Sequence, residues 1–357
     1  MNQALSHFHI LGSGSIGLLL AVKVISSFPN APITILLRPR HRKRIRSSKD
    51  HPCSHILVQL KSLIKKPSSS TIVSIPAQII GEQESKVDNN KIKNIILCTK
   101  AVDAIPALLS IKDQMTEKSN VLILCNGAMA VQRHIQNNHS LRSINTSLGT
   151  TYHGAYLSNN IDQEKSDVLY RTVNHAGSGQ LYTTDPLLSS FFQKCDLNGE
   201  LLNKEDMKIV LWKKLAANAV INPLTAIYQC LNGELIPSCT SSSSLQKKQH
   251  DVISKQMKQI IEEVAQVAIL ELSSSSLSNN DLLNYNSFYN FVYSVLEATR
   301  ENKSSMYQDI ILRRQKSEID FINGYIVQLG SQYGVDTPLN RQMCKEISNL
   351  EKDFDSK

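Results

Sequence analysis

Long hydrophobic runs are missing from this chain. No apolar stretch approaches the roughly 18 residues that a membrane span needs, although 41% of the 357 residues are hydrophobic. The first residues, MNQALSHFHILGSG, also lack the positively charged start and the long apolar core of a secretory signal. The sequence therefore predicts a globular protein of the cytoplasm with no membrane segment.

Paired cysteine motifs are absent as well. A disulfide framework or a zinc site would need closely and regularly spaced cysteines. The seven cysteines are odd in number, scattered, and include no CxxC pair. They are Cys53, Cys98, Cys125, Cys195, Cys230, Cys239 and Cys344. We expect reduced thiols and no metal site.

Acidic residues are scarce between Pro39 and Ile80. This segment holds nine basic residues against one acid, Asp50, and so carries the +8 formal charge of the whole chain. A short basic cluster can bind nucleic acid, but it more often forms a solvated face or attracts a phosphorylated ligand. Nucleic acid is therefore an unlikely partner. We expect residues 41–90 to be an irregular surface segment with a little extended structure.

A glycine-rich turn follows the first apolar segment. FHIL precedes GSGSIG and then LLLAVKVI, which is the order of a strand, a tight turn and a helix. The first glycine suits the turn, the second lets the backbone approach a pyrophosphate, and the third allows close packing of helix on strand. The helix N-terminus attracts the phosphates. The predicted dinucleotide contacts are Gly12, Ser13, Gly14, Ser15, Ile16 and Gly17.

Arg38 follows the next apolar run, ITILL, which suits a buried parallel strand. In NAD-binding proteins an acid near this place bonds the ribose hydroxyls, whereas an arginine accommodates a 2′-phosphate. Arg38, helped by Arg40 and Arg42, therefore predicts NADP (NADPH) as the cofactor. The alternative is an arginine that merely follows a strand.

Two further apolar runs end in polar residues. NIILCT precedes Lys100, and VLILC precedes Asn126. Parallel strands show this pattern when their carboxyl ends line a ligand crevice. Both residues are therefore candidates for cofactor binding, although either could simply end a strand.

Residues 143–155 and 168–184 are rich in Thr, Tyr, Val and Gly. This composition predicts an antiparallel extension of the sheet. His153 lies in the first segment and could act as a catalytic acid. A histidine in such a strand is more often structural.

Helical periodicity replaces strand-like runs after about Lys204. The predicted helices are 205–222, 246–272, 280–300, 305–329 and 339–352. A chain of 357 residues also suits two domains. We therefore predict an α/β protein, in which an NADP-binding domain (1–204) with a Rossmann-type doubly wound sheet precedes an all-α C-terminal domain (205–357) for substrate and catalysis.

The stretch LWKKLAANAVINPLTAIYQCLNGEL begins at Leu211. At about 100° per residue, Lys214, Asn218 and Asn222 share one face of a helix that is otherwise almost entirely apolar. Burying an unpaired ammonium or amide costs several kcal/mol, so a ligand cleft would explain them. The alternative is a surface lysine with two asparagines that cap the helix near Pro223.

Several separated stretches, in order, resemble the 2-dehydropantoate 2-reductase (ketopantoate reductase) family. They are HILGSGSIG, LLR at 36–38, CTKAVDA, CNG at 125–127, GTTYHGA, the stretch from Leu211, ENKSSMYQDI and EIDFINGYI. The resemblance implies NADPH-dependent reduction of ketopantoate to pantoate, on the route to pantothenate and coenzyme A. One departure is Ala128-Met129-Ala130, where relatives often have a further glycine.

The resemblance also implies roles for individual residues. A lysine matching Lys214 is the catalytic general acid, and a glutamate matching Glu318 lies by that lysine and the cofactor. Substrate-binding positions match Asn218, Asn222, Asn232 and Ser305. Besides the glycine turn, cofactor-binding positions match Arg38, Lys100, Asn126, Ala155 and Glu318.

Two rival functions stay open. One is an NADP-dependent reductase of another branched 2-oxo acid, because a lysine and asparagines recognise a ketone and a hydroxyl more than one carbon skeleton. The other is a non-catalytic NADP-binding regulator whose basic segment contacts nucleic acid. A homodimer is a further expectation.

Overall fold

The computed structural model describes most of the chain. The described residues are 7–39, 41, 54–64, 68–80, 91–158, 169–236, 244–273, 284–313 and 316–352. The chain divides into two compact units, Met1–Met207 and Lys208–Lys357. None of the helices in the described ranges combines the length and the apolar character that a membrane crossing requires.

The described residues of the first unit form an eleven-stranded sheet in the order β11-β10-β7-β6-β5-β1-β2-β4-β3-β9-β8. The strands are β1 (Phe8–Leu11), β2 (Ile33–Leu37), β3 (Ser54–Ser62), β4 (Ser69–Ile79), β5 (Ile92–Leu97), β6 (Met115–Ile123), β7 (Asn145–Thr151), β8 (Gly154–Leu157), β9 (Tyr170–Gly177), β10 (Leu181–Thr183) and β11 (Gly199–Leu201). The helices are α1 (Ser15–Ser27), α2 (Ala101–Ser110), α3 (Ala128–Asn137) and α4 (Pro186–Lys194), and α5 (Lys204–Tyr228) leads into the second unit.

The centre of the sheet has the order β4-β2-β1-β5-β6-β7, and each neighbouring pair is parallel. Strands β1, β2 and β5 end in two or three consecutive buried apolar residues, as expected of a parallel sheet that is covered on both faces. The strand order reverses at β1, which is the property of a doubly wound Rossmann fold and creates a ligand crevice at the carboxyl end of that strand. The predicted Rossmann-type sheet is confirmed.

Helix α1 supplies a large part of the apolar core of this unit. Its buried residues Leu18, Leu19, Leu20 and Val22 belong to one apolar cluster with side chains of β1, β2, β3 and β4. The helix also contacts β8 and β9. The half of the sheet from β1 to β8 therefore curls around α1.

The prediction for residues 41–90 was wrong over its described part. Strands β3 and β4 form a long antiparallel hairpin, with β4 beside β2. Ile56, Val58 and Ile75 are fully buried in the core. Buried residues alternate with less buried ones along both strands, as in a half-buried strand, but the Ser- and Lys-rich composition obscured that period. Most of the basic cluster, including Arg40 and Arg42, lies outside the described residues.

The predicted antiparallel extension is confirmed in part. β10 pairs antiparallel with β7, and β8 pairs antiparallel with β9. However, β7 runs parallel to β6, and β9 runs parallel to β3. Sequence composition indicates a strand but not its partner, so these parallel pairings were not predicted.

His153 belongs to a buried hydrogen-bonded pair. Its Nε2 lies 2.9 Å from the carbonyl oxygen of Leu197, so Nε2 carries the proton. Its Nδ1 lies 3.3 Å from the backbone N–H of Gly179 and 3.1 Å from Nε2 of His175. Because a backbone N–H can only donate, Nδ1 must be unprotonated and the ring neutral. This arrangement supports the structural interpretation of His153.

The buried histidines make the stability of the protein sensitive to acid. Burial, and to a lesser extent the facing His153 ring, lowers the pKa of His175 to about 4. Burial, and then the neighbouring His7, lowers the pKa of His9 to about 4. In the unfolded chain these rings take up protons near pH 6.5, so below that pH the unfolded state binds more protons and stability falls.

We therefore expect the melting temperature to drop as the pH is lowered from 7 to 4.5. Each ring contributes about 1 to 3 kcal/mol to this loss. His175→Gln should reduce the pH dependence of thermal unfolding, whereas His134→Gln, at an exposed site, should not. An unchanged slope in the His175 variant would contradict the assignment.

The described part of the second unit is helical. After α5 it contains α6 (Ser244–Ser273), α7 (Tyr285–Ala298), α8 (Ser305–Ile311), α9 (Asn323–Tyr333) and α10 (Pro338–Lys352), with 3₁₀ turns at Asn232–Leu235 and Ile319–Phe321. The predicted all-α C-terminal region is confirmed. The single helix predicted over 305–329 was wrong, since the chain leaves the helix after Ile311 and Arg313 has a left-handed φ of 44°. Helical periodicity on both sides of this break concealed it.

Candidate active site

The carboxyl ends of the central strands lie in register. Leu11 of β1 is paired with Leu36 of β2 and with Leu97 of β5, and Leu97 is paired with Ile123 of β6. The residues that follow these strands therefore meet at one edge of the sheet. They include the glycine turn, Arg38, Lys100 and Asn126.

The glycine turn has the shape that its sequence predicts. Gly12 has a φ of +124°, and a Cβ there would lie 2.6 Å from the carbonyl carbon of Cys98. A Cβ on Gly17 would lie 2.1 Å from the carbonyl oxygen of Gly12, so only glycine allows this close packing. Burial raises the pKa of the Cys98 thiol to about 12, which keeps that side chain neutral beneath the turn.

The backbone of the turn is accessible to a ligand at Gly14. A Cβ on Gly14 would meet no atom closer than 4.0 Å, so the backbone there is open to a ligand. Helix α1 begins at Ser15 without a side-chain cap on its N-terminal N–H groups, which leaves them for phosphate oxygens. The buried hydroxyl of Thr99 has no hydrogen-bond partner within the described residues. These features favour a bound cofactor.

Two residues beside the turn lead into helices. Lys100 is the N-cap residue of α2, and Asn126 precedes Gly127, the N-cap residue of α3. Both side chains are half-buried. Ala155 lies in β8, separated from β1 by four strands in the sheet order. Cofactor contacts of these three residues stay predictions.

Arg38 forms an ion pair with Asp103, which lies in the first turn of α2. The distance from Nη2 of Arg38 to Oδ2 of Asp103 is 2.5 Å. Both side chains remain about two-fifths exposed, at 40% and 37%. The guanidinium is therefore held at the end of β2 and remains accessible from solvent.

Helix α5 carries the predicted polar line on an otherwise buried helix. Lys214 and Asn218 are half-buried, and Asn222 is only 5% exposed. Trp212 on the same helix is fully buried, and its Nε1 donates to Glu271 over 2.7 Å. The alternative of two asparagines that cap the helix before Pro223 was wrong, because α5 continues to Tyr228.

Asn323 explains how α5 passes through Pro223. Proline has no N–H, so the carbonyl of Ala219 four residues earlier lacks its helical donor. The Asn323 side-chain amide donates to that carbonyl over 2.9 Å. It also donates to Oδ1 of Asn340 over 2.9 Å. Asn323 and Asn340 are both fully buried, so this is an internal support for the helix.

A carboxylate completes this buried network. Glu263 of α6 accepts from Nδ2 of Asn340 over 2.7 Å. It also accepts from the backbone N–H groups of Leu339 and Asn340 at the start of α10, over 2.9 and 3.0 Å. Three helices and the Asn323 segment are thereby fixed around Ala219, which lies between Asn218 and Asn222.

A hydroxyl pair attaches α8 to α5 close to Asn222. The Thr225 hydroxyl lies 2.7 Å from the Ser304 hydroxyl, and both residues are buried. Ser304 accepts from the backbone N–H of Tyr307 and so caps α8. Ser305, the predicted substrate residue, is the first residue of α8 and is exposed.

Asn232 begins the 3₁₀ turn that follows α5 and is hydrogen-bonded to the residues between α7 and α8. Its backbone N–H donates to the carbonyl of Asn302, and its side-chain Nδ2 donates to the Thr299 hydroxyl over 2.9 Å. Its side-chain oxygen is buried and has no hydrogen-bond partner in the described chain. A buried unpaired acceptor is costly, and a substrate hydroxyl would satisfy it.

Glu318 is 8% exposed and precedes the 3₁₀ turn that leads to Asn323. The bond from Asn323 to Ala219 thus fixes the segment of Glu318 to the middle of α5. The structure therefore attaches the segments of Ser305 and Glu318 to α5, which carries Asn222, and bonds Asn232 to the residues between α7 and α8. The roles of these residues stay predictions.

Comparison with known proteins identifies the family. Residues 8–185 match the family model described as Ketopantoate reductase PanE/ApbA, and residues 206–351 match the one described as Ketopantoate reductase PanE/ApbA C terminal. The 2-dehydropantoate 2-reductase of Vibrio cholerae is 31% identical over 269 residues, which cover 73% of this chain and 78% of that protein. The chain belongs to the ketopantoate reductase family. As a member it is an NADP-dependent oxidoreductase of a 2-oxo acid and 2-hydroxy acid pair.

Solved structures share the fold of this family member. The PanE/ApbA family ketopantoate reductase from Ralstonia eutropha JMP134 has a TM-score of 0.71 at 20% identity, with 98% of this chain and 100% of that chain covered. D-mandelate dehydrogenase, in a ternary structure with NADH and anilino(oxo)acetate, has a TM-score of 0.70 at 20% identity and the same coverage. At this identity the likeness concerns the fold alone.

Three residues of this ketopantoate reductase family member were missed in the sequence, namely Asp103, Ser304 and Asn323. Two signals were available. A proline inside a helical pattern leaves a carbonyl unpaired, which calls for a donor such as Asn323. A serine before a short helix is a common cap, which describes Ser304. Asp103 had no such signal, because its pairing with Arg38 depends on the strand order.

Proposed function

We propose that this chain reduces 2-dehydropantoate (ketopantoate) to pantoate with NADPH, as a cytoplasmic enzyme of pantothenate and coenzyme A synthesis. Residues 1–204 bind the cofactor, and residues 205–357 bind the substrate and supply Lys214 as the general acid. The observation that carries the proposal is that the segments of Ser305 and Glu318 are both hydrogen-bonded to α5, the helix of Lys214, and that Asn232 is bonded to the end of α7, shortly before Ser305.

NADPH, when bound, would supply the hydride for the C2 carbon of the oxo acid. The carbonyl oxygen then gains negative charge and needs a proton and a nearby positive charge. Lys214 on α5 provides both, because its ammonium Nζ donates a proton to that oxygen. Glu318, which is largely buried, keeps the lysine charged before the reaction, since a nearby opposite charge favours the ionised form.

The asparagines and the serine hold the substrate. Asn218, Asn222 and Asn232 can bind hydroxyl and carbonyl groups through neutral donors and acceptors. They add no charge that would shift the protonation of Lys214. The unpaired side-chain oxygen of Asn232 accepts the substrate hydroxyl, and the exposed Ser305 donates to a substrate oxygen.

Cofactor binding uses the edge of the sheet. The α1 N-terminus and the glycine turn hold the pyrophosphate. Arg38 takes the 2′-phosphate, and Lys100 and Asn126 lie toward the nicotinamide end.

A reductase of another 2-oxo acid is the alternative that one comparison favours. D-mandelate dehydrogenase shares the fold, and its structure holds an oxo acid together with NADH. A pocket of neutral amides discriminates weakly between substrates that differ only in an apolar branch. The non-catalytic regulator is not favoured, because it would not need the convergence of polar segments on α5.

A substrate panel tests the proposal. The loss of NADPH absorbance is measured with ketopantoate and with several other branched and aromatic 2-oxo acids, each also with NADH. We expect the highest kcat/KM for ketopantoate with NADPH. A higher value for another oxo acid would replace the proposed substrate, and cofactor binding without turnover of any oxo acid would contradict the proposed reaction.

A further inference from the structure

Arg38 and Asp103 reach toward each other from strands on opposite sides of β1. Arg38 follows β2, Asp103 lies in the helix after β5, and both strands pair with β1. Neighbouring strands are about 4.8 Å apart, so the pair spans roughly 10 Å. It therefore crosses the carboxyl end of β1, where the chain turns at Gly12.

A dinucleotide bound at the glycine turn would lie beside both members of this pair. An arginine at the end of the second strand favours a 2′-phosphate, whereas a carboxylate at that strand end favours the ribose hydroxyls of NADH. This chain has both groups, with the carboxylate 2.5 Å from the arginine. Arg38 therefore favours NADPH, whereas Asp103 favours NADH.

We propose that Asp103 is a specificity-determining residue that reduces the preference of this protein for NADPH over NADH. The inference rests on the proposed role of Arg38 in cofactor binding. Asp103 acts in two ways. Its carboxylate occupies donors of Arg38 that a 2′-phosphate would use, and its negative charge repels that phosphate.

The partial exposure of the pair makes this competition possible. An exposed ion pair is weak enough to be opened or shared by a ligand, and both side chains keep more than a third of their surface accessible. NADH carries no 2′-phosphate, so it meets no such repulsion. Its 2′-hydroxyl can donate a hydrogen bond to the carboxylate of Asp103.

A simpler role for Asp103 is stabilisation of α2. An acid in the first turn interacts favourably with the helix dipole. That role does not require the Arg38 guanidinium, and it predicts an effect on stability without an effect on cofactor selectivity. Selectivity is therefore the measurement that separates the two roles.

The experiment measures dissociation constants of NADPH and NADH for the full-length protein without substrate, by nicotinamide fluorescence or calorimetry. We expect Asp103→Asn to bind NADPH about 5- to 20-fold more tightly and NADH equally or more weakly. The ratio of the NADH constant to the NADPH constant thus rises. Asp113→Asn, which changes an exposed acid beyond the other end of α2, is the matched control and should leave the ratio unchanged.

Arg38→Ala separates failure of this inference from failure of the proposed function. If Arg38 binds the 2′-phosphate, its loss weakens NADPH far more than NADH. Equal effects on the dissociation constants of both cofactors would show that Arg38 does not bind the 2′-phosphate. If Arg38→Ala behaves as expected while Asp103→Asn leaves the ratio unchanged or lowers it, the inference about Asp103 is overturned and the proposed function stands. Melting temperatures of all variants confirm that they are folded.

Discussion

Replacing Lys214 by alanine will lower the turnover of the oxo acid by about 10² to 10⁴, the usual contribution of a general acid. The lysine lies on a buried helix in line with Asn218 and Asn222. Its loss removes both the proton and the positive charge that the forming alkoxide requires. The effect should fall mainly on kcat, because a general acid acts in the transition state, and NADPH binding should be largely kept, because the proposed cofactor contacts belong to other segments.

Steady-state kinetics and NADPH binding, measured on the same preparations, test this prediction. Lys213→Ala is the matched control, since Lys213 is the preceding residue, is similarly half-buried and lies about 100° around the helix from Lys214. Lys214→Arg keeps the charge but is a far weaker acid, so it should restore substrate binding better than turnover. Wild-type turnover in Lys214→Ala would remove this lysine from the mechanism.

Replacing Asn323 by leucine is expected to destabilise the protein by about 2 to 5 kcal/mol. The substitution leaves the buried carbonyl of Ala219 without a donor and deprives the Asn340 side-chain oxygen of a partner. Because Ala219 lies between Asn218 and Asn222, the local shape of α5 should change as well. We therefore expect a higher KM for the oxo acid and a smaller change in the dissociation constant of NADPH.

A second substitution makes the test specific. Pro223→Ala supplies the backbone N–H that Ala219 lacks, so Asn323→Leu should cost less in that background than in the wild type. Chemical denaturation of the four proteins in this double-mutant cycle gives the coupling free energy. Additive effects of the two substitutions would show that Asn323 does not substitute for the missing N–H of Pro223.

The proposed cofactor site shows how far local sequence can predict structure. The glycine turn was identified correctly because Gly12 and Gly17 meet steric demands that no other residue satisfies. The sequence also predicted correctly that Arg38 follows a strand, because the short apolar run ITILL before it is typical of a buried parallel strand. The hairpin of β3 and β4 was missed because its alternating period was hidden by a serine- and lysine-rich composition.

The proposed substrate site shows the same limit of local sequence patterns. The helical period placed Lys214, Asn218 and Asn222 on one face, and the structure keeps them on one helix. The period also predicted an unbroken helix over 305–329, where the chain leaves the helix after Ile311. The helical spacing of apolar residues is a property of one segment. It therefore does not show where that segment ends or which other segment it packs against.

The sequence by itself determined the Rossmann-type order of strands and helices, the glycine turn and the polar line on α5, because each depends on residues close together in the chain. Only the tertiary structure decided that Asp103 opposes Arg38, that Ser304 fastens α8 to Thr225, and that Asn323 supports the helix at Pro223. These contacts join residues 65 to 104 positions apart. Their geometry follows from strand order and helix packing, which many distant apolar contacts fix together.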